Sequence, residues 1–140
     1  MCSFKDLFMN QEFNNVIDTI CAKDERYKSE AYEFIMEALA YTQKKFRRSK
    51  HVTGQELLEG IRQLLENKFG PMVLTVLKHW GVKTTEDFGH IVFNLVQHKI
   101  LSKTEEDTLK SFREAYDFHE VFSVDYKKRF EKQVSRMRNF

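Results

Sequence analysis

The chain has 140 residues with 13 Phe, 5 Tyr and 1 Trp, enough aromatic mass for one folded domain and too much for wholesale disorder. A single Pro and five Gly exclude collagen-like and linker-rich chains, and two cysteines exclude a disulfide framework. The formal net charge of +2 conceals two local cationic clusters.

Residues 1–10 mix Lys5 and Asp6 into a short apolar stretch without the apolar core of a cleavable signal, and no run approaches the ~18 apolar residues of a membrane span. The expectation is a cytoplasmic protein with Cys2 and Cys21 reduced. Phe13, Val16, Ile17, Ile20 and Cys21 recur at helical spacing and predict a first helix with one buried stripe. Ser29 is placed to cap a second helix carrying Tyr32, Phe34, Ile35, Ala38, Leu39 and Phe46. Thr53-Gly-Gln-Glu56 reads as a capping box, in which the hydroxyl takes an orphan N–H while the Glu reaches back. Leu57, Leu58, Ile61, Leu64, Leu65 and Phe69 then repeat the stripe.

Gly70-Pro71 predicts that this third helix ends with Gly70 in the left-handed region, and that Pro71 opens a short fourth helix stopping at Gly81. Thr84 or Thr85 starts a fifth, with Phe88, Ile91, Val92, Leu95 and Val96 on one face. Ser102-Lys-Thr-Glu105 is a second capping box, for a sixth helix through Leu109, Phe112 and Tyr116. Strand alternation is scarcely visible. The expected fold is all-α: a compact single-domain bundle of about six helices over residues 1–124, followed by a basic extension at 125–140.

Charge is segregated along the chain. Residues 44–50 bring together Lys44, Lys45, Arg47, Arg48 and Lys50 without an acid. Residues 125–140 carry Lys127, Lys128, Arg129, Lys132, Arg136 and Arg138 against Asp125 and Glu131. The two segments hold 11 of the 23 cations and 2 of the 21 acids, which is the footprint of a polyanion ligand. On a helix Tyr126, Phe130, Val134 and Met137 would fall within about 80° of one another, with all six cations on the remaining arc. Such a basic amphipathic helix suits nucleic acid, an anionic membrane surface or an acidic partner, or simply docks its apolar residues on the body. The 44–50 cluster falls at the expected C-terminus of the second helix, where the macrodipole favours each cation by ~0.3–1 kcal/mol. Five cations in seven residues exceed what capping requires.

Catalytic patterns are missing. His51, His79, His90, His98 and His119 include no pair at i, i+4 and no HExxH, so a zinc hydrolase is unsupported. No phosphate-cradling glycine loop and no GxSxG nucleophile elbow occurs. Cys21 lies on an apolar stripe, where thiols are usually inert.

Several strings are distinctive: Asp24-Glu-Arg-Tyr27, Ala31-Tyr-Glu-Phe34 with Tyr41-Thr42, and the run from His51 through Gly54, Glu56 and Gly60 to Arg62. Phe69-Gly-Pro-Met72, Trp80-Gly81, Glu86-Asp-Phe-Gly89, residues 91–96, 101–105 and 116–118 follow. Over about residues 10–122 the chain resembles a family of short helical proteins from planctomycete, verrucomicrobial and chlamydial bacteria. The resemblance implies a bacterial cytosolic protein and brings no activity with it. Glu25 stands where that family usually has Pro, and the basic extension lies beyond the resemblance. Residues 54–69, 71–80 and 85–98 also look like the core of a winged-helix domain. There, however, a capping box replaces the wing, and Glu86 and Asp87 would face phosphates with the wrong sign.

The expected function is a non-catalytic binding module with no cofactor or metal. It would contact RNA or DNA without sequence specificity through Lys127, Lys128, Arg129, Lys132, Arg136 and Arg138, with Lys44, Lys45, Arg47 and Arg48 as a second patch. The alternative is a protein–protein adaptor or a self-associating helical domain, whose apolar interface would be nearly indifferent to salt.

Overall fold

A computed structural model describes residues 11–48, 52–101 and 109–125, and every regular element among them is helical. The five α-helices are α1 (Gln11–Lys23), α2 (Ser29–Lys45), α3 (Gly54–Phe69), α4 (Val73–Trp80) and α5 (Thr85–Gln97). A 3₁₀ turn, Gly70–Met72, joins α3 to α4; a second, Leu109–Phe112, and a π-helical turn, His119–Asp125, follow α5. No strand occurs among the described residues, so nothing there corresponds to a wing. No helix among them is long and apolar enough to cross a membrane.

The core is organised around α2, which lies against α1, α3, α4 and α5. Ala31, Tyr32, Phe34, Ile35, Met36, Ala38, Leu39 and Thr42 are all buried on it, so its apolar arc extends well beyond one stripe. Its most extensive interface is with α3. There Gly60 lets the two backbones approach, because a Cβ at Gly60 would lie 1.8 Å from Thr42 Oγ1. Phe13, Ile17 and Ile20 of α1 close the core on one side, and Phe88, Ile91 and Leu95 of α5 on another. Full burial of each such side chain contributes roughly 1.5–3 kcal/mol before the entropy of ordering it.

Most helix ends follow their local signals. The Thr53 box is complete: Glu56 N–H donates to Thr53 Oγ1 at 3.0 Å, and Thr53 N–H donates to Glu56 Oε1 at 2.9 Å. Gly81 ends α4 in the left-handed conformation at φ 84°, with Val82 N–H donating to Leu77 O at 2.9 Å. Three expectations are corrected. Ser29 is the first residue of α2 rather than its cap. The cap position is Lys28, held extended while its N–H donates to Trp80 O at 3.1 Å. Gly70 has φ 50° but ψ −124°, outside the left-handed helical well, and Pro71 sits in the 3₁₀ turn before α4 instead of opening it.

The third correction concerns the segment after α5. Leu109–Phe112 is a 3₁₀ turn, and the chain leaves it well before Tyr116. The buried Thr85 hydroxyl donates to Phe112 O at 2.6 Å and accepts from Ala115 N–H at 3.1 Å, which takes the backbone out of helical bonding. Tyr116 then donates to Leu58 O at 3.0 Å, and its ring meets Phe118 and Phe122 at 6.1 and 6.3 Å. The capping box at 102–105, Lys50, and the C-terminal basic helix from Tyr126 onward lie outside the described residues.

Candidate functional site

Four of the sequence-predicted cations meet at one corner, where α2 turns toward α3. The turn closes with Arg48 N–H donating to Gln43 O at 2.8 Å, and the residue between the last turn and Arg48 is Arg47, at φ 55°. This left-handed position is the one that glycine usually fills at a helix C-terminus, and a side chain there costs roughly 1–2 kcal/mol. Lys45 Nζ donates to Gln63 Oε1 on α3. Arg48 reaches Glu56 at 3.3 Å through both Nε and Nη2, tying the corner to the acid of the α3 capping box. With Thr53 N–H as its first partner and Arg48 as another, the Glu56 carboxyl is held below its ordinary range. Lys44 and Arg47 are exposed, and neither is ion-paired among the described residues. The corner therefore offers two cations to a ligand and spends two on the fold. Lys127, Lys128, Arg129, Lys132, Arg136 and Arg138 lie outside the described residues.

The distinctive strings of the sequence converge on a different place. Asp24, in the α1–α2 loop, accepts from Arg26 Nε at 2.9 Å, Arg26 Nη2 at 2.7 Å and Asn94 Nδ2 of α5 at 3.0 Å. Asn94 Nδ2 also donates to Tyr32 Oη at 3.0 Å. Tyr27 Oη donates to Asp87 Oδ1 at 2.5 Å, while Asp87 Oδ2 accepts from the N–H groups of Lys83 and Thr84 at 2.7 and 3.1 Å. The Arg26 guanidinium holds the Asp24 carboxyl far below the usual carboxylate range. Burial, reinforced by Asp87, pushes the Tyr27 phenol well up. Groups driven this far from neutrality are poorly suited to proton transfer. The cluster is a polar clamp that fastens the α1–α2 loop to α5, and Gly81 completes it by lying against Arg26 O, 2.1 Å from where a Cβ would stand.

Among the described residues, two concavities lie beside α4. One, of 380 Å³, is walled by Leu74, Leu77, Val82 and Phe118, with Lys78 and Lys83 at its rim. The other, a groove of 650 Å³, is floored by Phe34, Phe69 and Trp80 and rimmed by Glu30, Glu33 and Glu37. Phe34 and Trp80 ring centres lie 5.2 Å apart, Phe69 and Trp80 5.6 Å. Sequence reasoning missed this groove. The spacing of the three acids along one helix was its one readable signal.

No cluster of His, Cys, Asp and Glu among the described residues could hold a metal. His90 stands 3.9 Å from Glu86 on the same helix, and His98 Nδ1 lies 3.0 Å from Asn94 O, both local contacts. Burial, then Asp18, pushes the Cys21 thiol up, which disfavours the nucleophilic thiolate. Comparison with protein families, curated proteins and solved structures finds no match to this chain in any of the three, so no relative's site can be carried onto these residues.

Proposed function

We propose that this chain is a non-catalytic cytoplasmic binding module that contacts RNA or DNA without sequence specificity. The α2–α3 corner would supply Lys44 and Arg47, and the sequence from Lys127 to Arg138 six further cations. One observation carries the reading: Arg47 occupies a left-handed position at φ 55° where glycine costs less, and projects an unpaired cation from it. Backbone strain is often kept at functional positions, and here it supports a contact role for Arg47; Lys99 and Glu114 share the positive φ, but neither belongs to a cationic cluster. Lys45 and Arg48, engaged with Gln63 and Glu56, hold the corner in shape and stay exposed beside Lys44 and Arg47 as the rest of the patch.

The test is a salt titration of fluorescence anisotropy with single- and double-stranded oligonucleotides, comparing the chain with a Lys44→Ala/Arg47→Gly variant. Two lost phosphate contacts lower the magnitude of the slope of log K against log salt by roughly 1.4–1.8, at ~0.7–0.9 each. Affinity falls alike for every sequence tested, while the variant is at least as stable as the parent. No binding by the parent at low salt, or an unchanged slope in the variant, removes the corner from any role in nucleic-acid contact.

A further inference from the structure

We propose that the groove between α2 and α4 docks a basic peptide segment of a partner protein, with a lysine or arginine head group against Glu30 and Glu33 and its aliphatic stem on Val76 and Trp80. This surface is separate from the Lys44–Arg47 corner, and its charge is opposite. Glu30, Glu33 and Glu37 fall within about 60° of arc on α2 and line one wall of the groove.

The chain itself shows how the groove receives a cation. Lys68 Nζ lies 2.6 Å from Glu37 Oε2 and 5.8 Å from the centre of the Phe69 ring, an ammonium held between a carboxylate and an aromatic face. Glu30, Glu33 and Trp80 line the same groove, and neither acid is ion-paired among the described residues. Glu33 is half-buried, and burial together with Glu30 pushes its carboxyl above the ordinary range. An incoming cation offsets the repulsion between Glu30 and Glu33.

The rim selects the class of ligand. Carboxylates repel phosphates, so a nucleic acid does not fit here. Glu30 to Glu37 spans about 10 Å along α2, the length of about three extended residues, which matches a short stretch of chain with more than one basic side chain.

Trp80 is the only tryptophan of the chain and lines this groove, so a change in emission on binding to the folded protein comes from this one ring. The probe is a dodecapeptide of alternating lysine and alanine, titrated into the full-length chain. A saturable change in Trp80 emission is expected, and the same peptide with acetylated lysines should produce none. Glu30→Gln/Glu33→Gln should weaken binding by about two- to thirtyfold, the range for losing two partly exposed charge contacts. Lys68→Gln frees Glu37 and should tighten it. Lys44→Ala/Arg47→Gly should leave it unchanged, which separates this site from the nucleic-acid reading. The proposal is overturned by an unresponsive Trp80, by equal affinity in the Glu30/Glu33 variant, or by Lys68→Gln binding no more tightly. Tetramethylammonium reproducing the peptide's response at the same cation concentration would equally overturn it in favour of a small-cation site.

Discussion

Gly60→Ala tests the packing of α2 on α3, because two effects of opposite sign meet at one atom. In the middle of a helix alanine is favoured over glycine by about 1 kcal/mol. Against that, the new Cβ would lie 1.8 Å from Thr42 Oγ1, 2.9 Å from its Cβ and 3.4 Å from its Cγ2, where ordinary contact needs about 3.5–4.0 Å. Thr42 is fully buried and its hydroxyl donates to Ala38 O at 2.7 Å. Turning it aside forfeits a hydrogen bond of about 1 kcal/mol, and pushing α2 from α3 adds an overpacking cost of about 1–3 kcal/mol. The net expectation is a loss of about 2 kcal/mol, or roughly 6–8 °C in Tm for a chain of this size. Urea melts followed by circular dichroism and by Trp80 emission measure it. In a Thr42→Ala background, where only the 2.9 Å contact remains, Gly60→Ala should cost at least about 1 kcal/mol less. A Gly60→Ala protein as stable as the parent, or strict additivity with Thr42→Ala, would refute the close approach of the two helices.

Gly81→Ala should cost more than about 2 kcal/mol in the same urea melts, since it combines a positive φ with a Cβ 2.1 Å from the Arg26 carbonyl oxygen, a backbone atom that cannot step aside. A loss under about 1 kcal/mol would contradict that geometry. Asp24, Glu56 and Glu59, the last accepting from Arg62 Nε one turn along α3, all have carboxyls held below their ordinary values, so their contribution is present above about pH 4 and is lost as pH falls through the lower folded values. Melts between pH 7 and pH 2 should therefore show Tm falling steeply below about pH 4, with a shallower fall in Asp24→Asn; parallel curves would exclude Asp24. Glu33 has the opposite sign, because its raised pKa makes the ionised form a burden on the fold at neutral pH. Glu33→Gln should accordingly raise Tm at pH 7 and leave it unchanged near pH 3, where the parent is also neutral; a lower Tm at pH 7 would refute the desolvation of this side chain.

The sequence by itself determined what depends on neighbours within about a turn. The apolar stripes of α1, α3 and α5 and the Thr53–Glu56 box were all legible, because each involves residues three or four apart on one helix. The cationic cluster at 44–48 was equally plain, and it does collect at one helix end. Tertiary structure decided how that cluster is spent, by placing Glu56 and Gln63 of α3 against Arg48 and Lys45. It also moved the start of α2, since Lys28 N–H is claimed by Trp80 O from another helix and Ser29 has no capping role left to fill. The stretch after Leu109 leaves the helical path for the same kind of reason, with Thr85 taking the backbone bonds of Phe112 and Ala115. The groove beside α4 needed the fold most of all: Phe34, Phe69 and Trp80 belong to three helices, and each reads on its own as an ordinary core residue. Periodicity says which face of a helix avoids water. Only the packing of helices says which side chains from distant positions share a wall, because that depends on backbone approach at points such as Gly60 and Gly81.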